Sequence, residues 1–283
     1  MKLALVNGIK QEATKGTTGQ CLCCGADVIA KCGKIRSNHW AHKNNKECSY
    51  SQKEPKTPWH INWQNCFPEN WQEVICKDDK TNEKHIADIK TPNGLVVEFQ
   101  HSAIANKEQL SRENFYRQQK GMIWVVDGTR NKNDFKRFLK NIKSLHPLIN
   151  YSSQLVLYSV DLVEEILPPN WLSATVPVYF DFKSDATNDT ENEQQKLLRN
   201  LIWGFFKIGK KIFAVSMPHN DFVHFVHYEI IMRISKYIID IYTYQQQSFK
   251  ISLKSNYRTV NIPSNINPHM LNRIRQNNPR FKF

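Results

Sequence analysis

In HIADIKTPNGLVVEFQHS, residues 85–102, two β-rich segments flank Pro92-Asn93-Gly94. The length of the loop between them sets which side chains share a face, because side chains alternate along a strand. A two-residue Asn93-Gly94 loop puts Asp88 opposite Phe99 and sends Glu98 to the other face. A three-residue loop, a type I turn closed by Gly94 in the left-handed conformation, makes Thr91 oppose Leu95 and Asp88 oppose Glu98. Pro suits the first position of that turn and Gly the last, so local turn chemistry favours the second register. Asp88, Lys90, Glu98 and Gln100 then share one face, while Leu95, Val97 and Phe99 go to the core side. Like charges directly opposed across a ladder destabilise it unless something compensates. A hard cation, Mg2+ or Mn2+, is the usual compensator for two carboxylates. The competing reading of the same residues is a solvent-facing polar stripe on an amphipathic sheet.

Upstream, WQEVICKD (71–78) reads as a strand and PWHINWQNC (58–66) as a short helix, with Thr57 as N-cap and Pro58 at the first helical position. Downstream come KEQLSRENFYRQQ (107–119) as a helix, MIWVVDG (122–128) as a fourth strand and DFKRFLKNIKSL (134–145) as a helix with Phe135, Phe138, Leu139 and Ile142 on one face. Helix, three strands, helix, strand implies an α/β (α+β) class, a mixed central sheet with helices packed on it. After Pro147 the pattern changes. LVLYSV (155–160), VPVYFDF (176–182), LLRNLIWGFFKI (197–208) and KKIFAVSMP (210–218) read as strands or short elements of a separate region, and SDATNDTENEQQK (184–196) as a mobile acidic loop. Ile230, Ile231, Ile234, Tyr237, Ile238 and Ile241 recur at helical spacing and read as core. The expected organisation is an N-terminal hairpin with a metal-binding module over 1–52, a core over 53–147 and a C-terminal α+β region over 148–283.

Five of the seven cysteines lie between Cys21 and Cys48, with histidines nearby. With no secretion signal expected at the N-terminus, this reads as metal binding and not as disulfides. Cys21-x2-Cys24-Gly is a knuckle that supports two thiolates, and a second pair further on closes a tetrahedral site. Cys48 and His42 are the preferred partners, His42 being closer to Cys48 in the chain; His39 is the alternative ligand. Cys23 and Cys32 are spare thiols. A structural Zn2+ would stabilise a segment with so little apolar content of its own.

Lys and Arg number 39 against 26 Asp and Glu, a formal charge of +13, which favours an anionic partner such as nucleic acid. Arg273, Arg275, Arg280 and Lys282 form a basic cluster at the end of the chain. The longest apolar runs are interrupted by charge before the ~18 residues that a membrane span requires. No membrane anchor is expected, and the expected location is the cytoplasm.

Taken together, CLCCGADVIAKCGKI (21–35), HWAH (39–42), WHINWQ (59–64), HIADIKTPNG (85–94) and VVEFQHS (96–102) resemble the competence protein CoiA-like family, whose core resembles the PD-(D/E)xK restriction-endonuclease-like fold. The resemblance runs over residues 20 to 130, and more weakly through WLSATVPVYFDF and FAVSMPHNDFV. It implies a metal-dependent nuclease that hydrolyses phosphodiester bonds in DNA, in recombination, competence or defence, alongside proteins of those processes. Asp88 and Glu98 match the two acidic positions and would hold Mg2+ or Mn2+. Gln100 stands where Lys is usual and cannot carry its charge. Lys90, on the same face, or His60, on the preceding helix, is expected to supply it; His101, Ser102, Arg112 and Tyr116 are expected near the phosphate. The zinc module would position the substrate strand. The alternative is an accessory protein that binds DNA without cutting it.

Overall fold

The computed structural model describes residues 1–34, 38–43, 48, 56–78, 81–117, 120–141, 156–183, 191–208, 211–228, 230, 231 and 233, and the backbone of 145–150. The sequence opens with five short strands: β1 (Leu3–Val6), β2 (Ile9–Glu12), β3 (Thr18–Gln20), β4 (Asp27–Lys31) and β5 (His39–His42). They form one antiparallel sheet in the order β2-β1-β3-β4-β5. Asn7 and Gly8 both take positive φ, 51° and 81°, which is the twist a two-residue hairpin needs. The sheet closes over a small core of Leu3, Ala4, Ala13, Val28 and Trp40, and the Trp40 indole donates to Gln11 O at 2.9 Å.

Helix α1 (Pro58–Asn65) follows, its N-terminus capped by Thr57, whose hydroxyl accepts from His60 N at 3.3 Å. Then come β6 (Gln72–Lys77), β7 (Lys84–Lys90), β8 (Val96–Gln100), α2 (Asn106–Tyr116), β9 (Met122–Asp127), α3 (Lys132–Asn141), β10 (Leu145–Asn150), β11 (Val156–Val160) and the single turn α4 (Val163–Ile166). The chain continues through β12 (Val178–Asp181), α5 (Glu193–Arg199), β13 (Leu201–Ile208), β14 (Lys211–Pro218) and α6 (His219–His227). These strands make one nine-stranded sheet, β10-β11-β14-β13-β12-β9-β8-β7-β6. It is mixed: β9 runs parallel to both β8 and β12, and the other pairs are antiparallel.

Rather than forming a separate region, as the change of pattern after Pro147 suggests, the C-terminal strands extend the sheet through the β9/β12 pair. Met1–Tyr237 form one compact unit. The reason lies in β9 and β12, where every residue is buried: an unbroken apolar run belongs to a strand covered on both faces and flanked on both edges. One face carries Trp124, Phe180, Phe182 and Trp203, and Phe138 of α3 packs against Phe182 and Trp203 there. On the other, Trp63 stacks on Phe99 and meets Phe222 of α6 edge-on.

The end of the acidic stretch is ordered as α5, where Asn192 and Gln195 form a reciprocal capping box; residues 184–190 lie outside the described residues. So do most of the isoleucine stripe after Ile231, Ile142, and the basic cluster at the end of the chain. Among the described residues, no helix is long and apolar enough to cross a membrane.

Candidate active site and metal centre

The β7/β8 hairpin closes with Thr91 N donating to Leu95 O and Gly94 N to Thr91 O, both at 2.9 Å, and Gly94 has φ 97°. Ile89 pairs with Val97 and Lys90 with Val96, the three-residue-loop register, which sets Asp88 opposite Glu98. Beyond Ile89 the strands part, and carboxylates replace the ladder. Asp88 Oδ2 accepts from Phe99 N at 3.0 Å, and Glu98 Oε1 accepts from Asp88 N at 3.2 Å. Both acids are buried, at 2% and 1% exposure.

Cationic and neutral donors surround this pair. Arg112 of α2 places Nη1 at 3.2 Å from Glu98 Oε2, and Tyr116 donates to Glu98 Oε1 at 3.1 Å. Burial and the adjacent Glu98 push the Tyr116 phenol well above its ordinary range, so it remains a proton donor. Burial opposes the Arg112 charge, but Glu98 and Glu108 outweigh it and raise its pKa. On the other side, His60 Nε2 lies 3.2 Å and Lys56 Nζ 3.7 Å from Asp88 Oδ1.

Lys56 and its partner Glu73 are participants the sequence did not reveal. Lys56 Nζ donates to Glu73 Oε1 at 2.5 Å and to Gln64 Oε1 at 2.9 Å, while Gln64 Nε2 donates to Asp88 O at 3.2 Å. Glu73 lies between the Gln72↔Ile89 and Val74↔Ala87 rungs with φ 47°, a left-handed conformation that costs a side chain about 1–2 kcal/mol. Its fully buried carboxylate accepts from Lys2 N at 3.2 Å and Leu3 N at 2.8 Å. The N-terminal sheet is thereby tied to the wall of the acidic pair.

The other residues predicted for the site sit as follows. Gln100 turns its amide onto its own loop, donating to Ser102 O at 2.9 Å and Oγ at 3.3 Å. Lys90 lies beside the Cys76 thiol, whose pKa burial raises and Lys90 lowers. The cations at Asp88 and Glu98 are therefore Lys56 and Arg112, from a segment before α1 and from α2.

At the N-terminal end, Cys21, Cys24, His42 and Cys48 bring ligand atoms within 4.8 Å of one another, and this cluster could hold a metal such as zinc. A tetrahedron with arms of about 2.3 Å to sulfur and 2.0 Å to nitrogen has edges of about 3.5–3.8 Å. Three of the six edges lie within about 0.3 Å of that range: Cys21 to Cys48 3.9 Å, Cys48 to His42 3.7 Å and Cys24 to His42 3.2 Å. Gly25, at φ 71°, turns the knuckle and donates to Cys21 O at 2.9 Å. Burial pushes the Cys21 thiol up to about 12, so the thiolate there requires a cation beside it. His39, on β5, pairs with Lys31 of β4 and is not one of the four. Cys23 is buried and is not one of the four, and Cys32 points at Ala13 O at 3.6 Å.

Two further carboxylates stand side by side where the parallel strands end, Asp127 on β9 and Asp181 on β12. Asp181 Oδ2 accepts from the indoles of Trp59 and Trp63, each at 2.9 Å, and Oδ1 from Lys183 N at 2.9 Å and His219 Nε2 at 2.8 Å. It anchors α1, and with it His60. Burial raises the Asp181 pKa, but His219 and the other donors overcome this and leave it below the ordinary 3.8. A depressed folded-state value means that the stabilisation is complete above 3.8 and disappears as pH falls through the lower value. Asp181→Asn should therefore lower the melting temperature at neutral pH, at about 1.5–3 kcal/mol for each hydrogen bond to the charged acceptor. Thermal melts should show the gap from wild type closing on acidification; a gap that persists unchanged in acid would refute the assignment.

Comparison with known families gives the class. Residues 83–166, which include the acidic pair and the parallel β8/β9 step and run as far as α4, match a family model described as the nuclease-like domain of competence protein CoiA, so this is an α+β protein with a nuclease-like domain. A second model, the competence protein CoiA N-terminal domain, matches residues 7–51, which hold the Cys/His cluster. The two matches together support the competence protein CoiA-like family for this chain. No curated protein and no solved structure matches it.

Proposed function

We propose that this chain is a metal-dependent deoxyribonuclease on a PD-(D/E)xK restriction-endonuclease-like core, acting in the cytoplasm on DNA in competence, recombination or defence. The observation that carries the reading is the buried Asp88–Glu98 pair, opposed where β7 and β8 separate. Two carboxylates from adjacent strands are oxygen donors of the hard type that Mg2+ or Mn2+ takes, and the surrounding Arg112, Lys56 and His60 reflect how strongly the pair calls for positive charge. When bound, such a cation polarises the scissile phosphate and lowers the pKa of its water. Tyr116 and Arg112 orient Glu98, and His60 and Lys56 hold Asp88. The net charge of +13 suits a polyanionic substrate. The Cys/His cluster, loaded with zinc, shapes the N-terminal sheet and takes no part in the chemistry.

One observation favours a second reading. Gln100 spends its amide on Ser102, as it would in a protein that binds DNA and does not cut it. Asp88→Asn and Glu98→Gln, which preserve shape, separate the two. With linear duplex and single-stranded DNA under Mg2+, Mn2+ or EDTA, each variant should lose more than about 100-fold in cleavage, beyond the loss expected for a supporting partner alone. Wild type that cuts nothing yet binds DNA with steep salt dependence would establish the accessory protein instead.

A further inference from the structure

At the end of β8, immediately after Gln100, His101 places Nδ1 at 2.6 Å from Asp127 Oδ2. Asp127 belongs to the neighbouring parallel strand β9 and is itself buried. Its other oxygen accepts from Thr129 N at 2.8 Å and Thr129 Oγ1 at 2.6 Å, so the carboxylate is fixed at both ends. A carboxylate only accepts, so the proton between the two groups resides on Nδ1. Asp127 thus sets the ring's orientation and leaves Nε2 as the second nitrogen, on a His101 side chain that retains 35% of its exposure. This is how a carboxylate prepares an imidazole for proton transfer.

The ring also lies on the α1 side of the sheet, the side from which His60 reaches Asp88. Trp59 sits 6.4 Å from His101 and 6.3 Å from Phe99, and Phe99 meets His60, the residue at Asp88, at 5.6 Å. Hydrolysis of a phosphodiester leaves an alkoxide that needs a proton. Gln100 has none to give, Arg112 is paired with Glu98 and Glu108, and Lys56 is buried against Glu73.

We propose that His101, oriented by Asp127, is the general acid that protonates the leaving oxygen, a role that rests on the nuclease reading above. The attacking water's lone pair forms the new P–O bond and its proton passes to solvent. The bond from phosphorus to the bridging sugar oxygen breaks with its electron pair on that oxygen, which takes the proton from His101 Nε2. Asp127 stays a carboxylate throughout, and His101 regains its proton from solvent.

The test is single-turnover cleavage by the full chain in Mn2+ of an ordinary DNA oligonucleotide and of two counterparts with sulfur in the 3′ or the 5′ bridging position, where the leaving thiolate needs no proton. On the ordinary linkage His101→Ala should slow cleavage by about 10²- to 10⁴-fold with KM little changed. On the linkage whose sulfur departs, the loss should shrink below tenfold, and added imidazole should recover part of the rate on the ordinary one. Asp127→Asn should lose less, with the same substrate dependence. His101→Gln, with wild-type melting behaviour, should match His101→Ala. Equal losses on oxygen and sulfur, or none, would overturn the general acid while the nuclease stands. A wild type that binds DNA and cleaves no substrate would overturn both.

Discussion

Cys48→Ser should empty the Cys/His cluster of zinc and loosen the whole N-terminal sheet. The sheet's own core is small, Leu3, Leu22, Val28 and Trp40 among its largest members, and two cluster residues, Cys21 and Cys48, pack with it. Structural zinc contributes about 10–16 kcal/mol of apparent binding free energy in isolated zinc-finger peptides. Here the sheet also has its strand ladders and its ties to Glu73, so the cost will be a fraction of that, and still among the largest effects of any single substitution in this chain. Elemental analysis should find stoichiometric zinc in wild type and in Cys23→Ser and Cys32→Ser, and little in Cys24→Ser or Cys48→Ser. Full zinc in Cys48→Ser would remove Cys48 from the site.

Glu73→Ala should destabilise the protein by about 3–5 kcal/mol, the usual result of removing one partner from a buried ion pair. Lys56 loses its counter-ion at 2.5 Å, and Lys2 N and Leu3 N lose their acceptor. Glu73→Gly provides the control. It loses the same partners but relieves the strain of φ 47°, so urea unfolding should find it more stable than Glu73→Ala by about 1 kcal/mol. If both variants unfold at the wild-type midpoint, the tie between the two sheets carries no weight. Without Glu73, Lys56 is left with Asp88 as its counter-ion and competes there with a divalent cation, so Mn2+ binding should weaken in either variant, measurable by calorimetry without any cleavage assay.

What could be read from the sequence was local. The Asp88–Glu98 register follows from three turn residues, and the Cys/His cluster from the spacing of its ligands; α1 announces itself through Thr57 and Pro58. The capping box at Asn192 and Gln195 was equally local but lay inside an acidic stretch whose composition suggested a mobile loop. The rest depends on distant contacts. Nothing in VPVYFDF says that β12 will pair in parallel with β9, more than fifty residues earlier. Glu73 reads as an ordinary strand residue, and only a left-handed backbone and donors some seventy residues away give it a role. Lys56 sits in a polar, proline-bearing stretch where a lysine carries no signal, and its partners come from three separate elements.

The two indoles on Asp181 give the protein an optical gauge of its own site. Trp59, half-buried, and Trp63, buried, share one carboxylate, and Trp63 lies 5.5 Å from the His219 ring. Their emission depends on that hydrogen-bonded geometry and on solvent access to Trp59. Intrinsic fluorescence, with Trp59→Phe as the reference, therefore reports whether α1 is seated, and a base that stacked on Trp59 would register as quenching before any bond is cut.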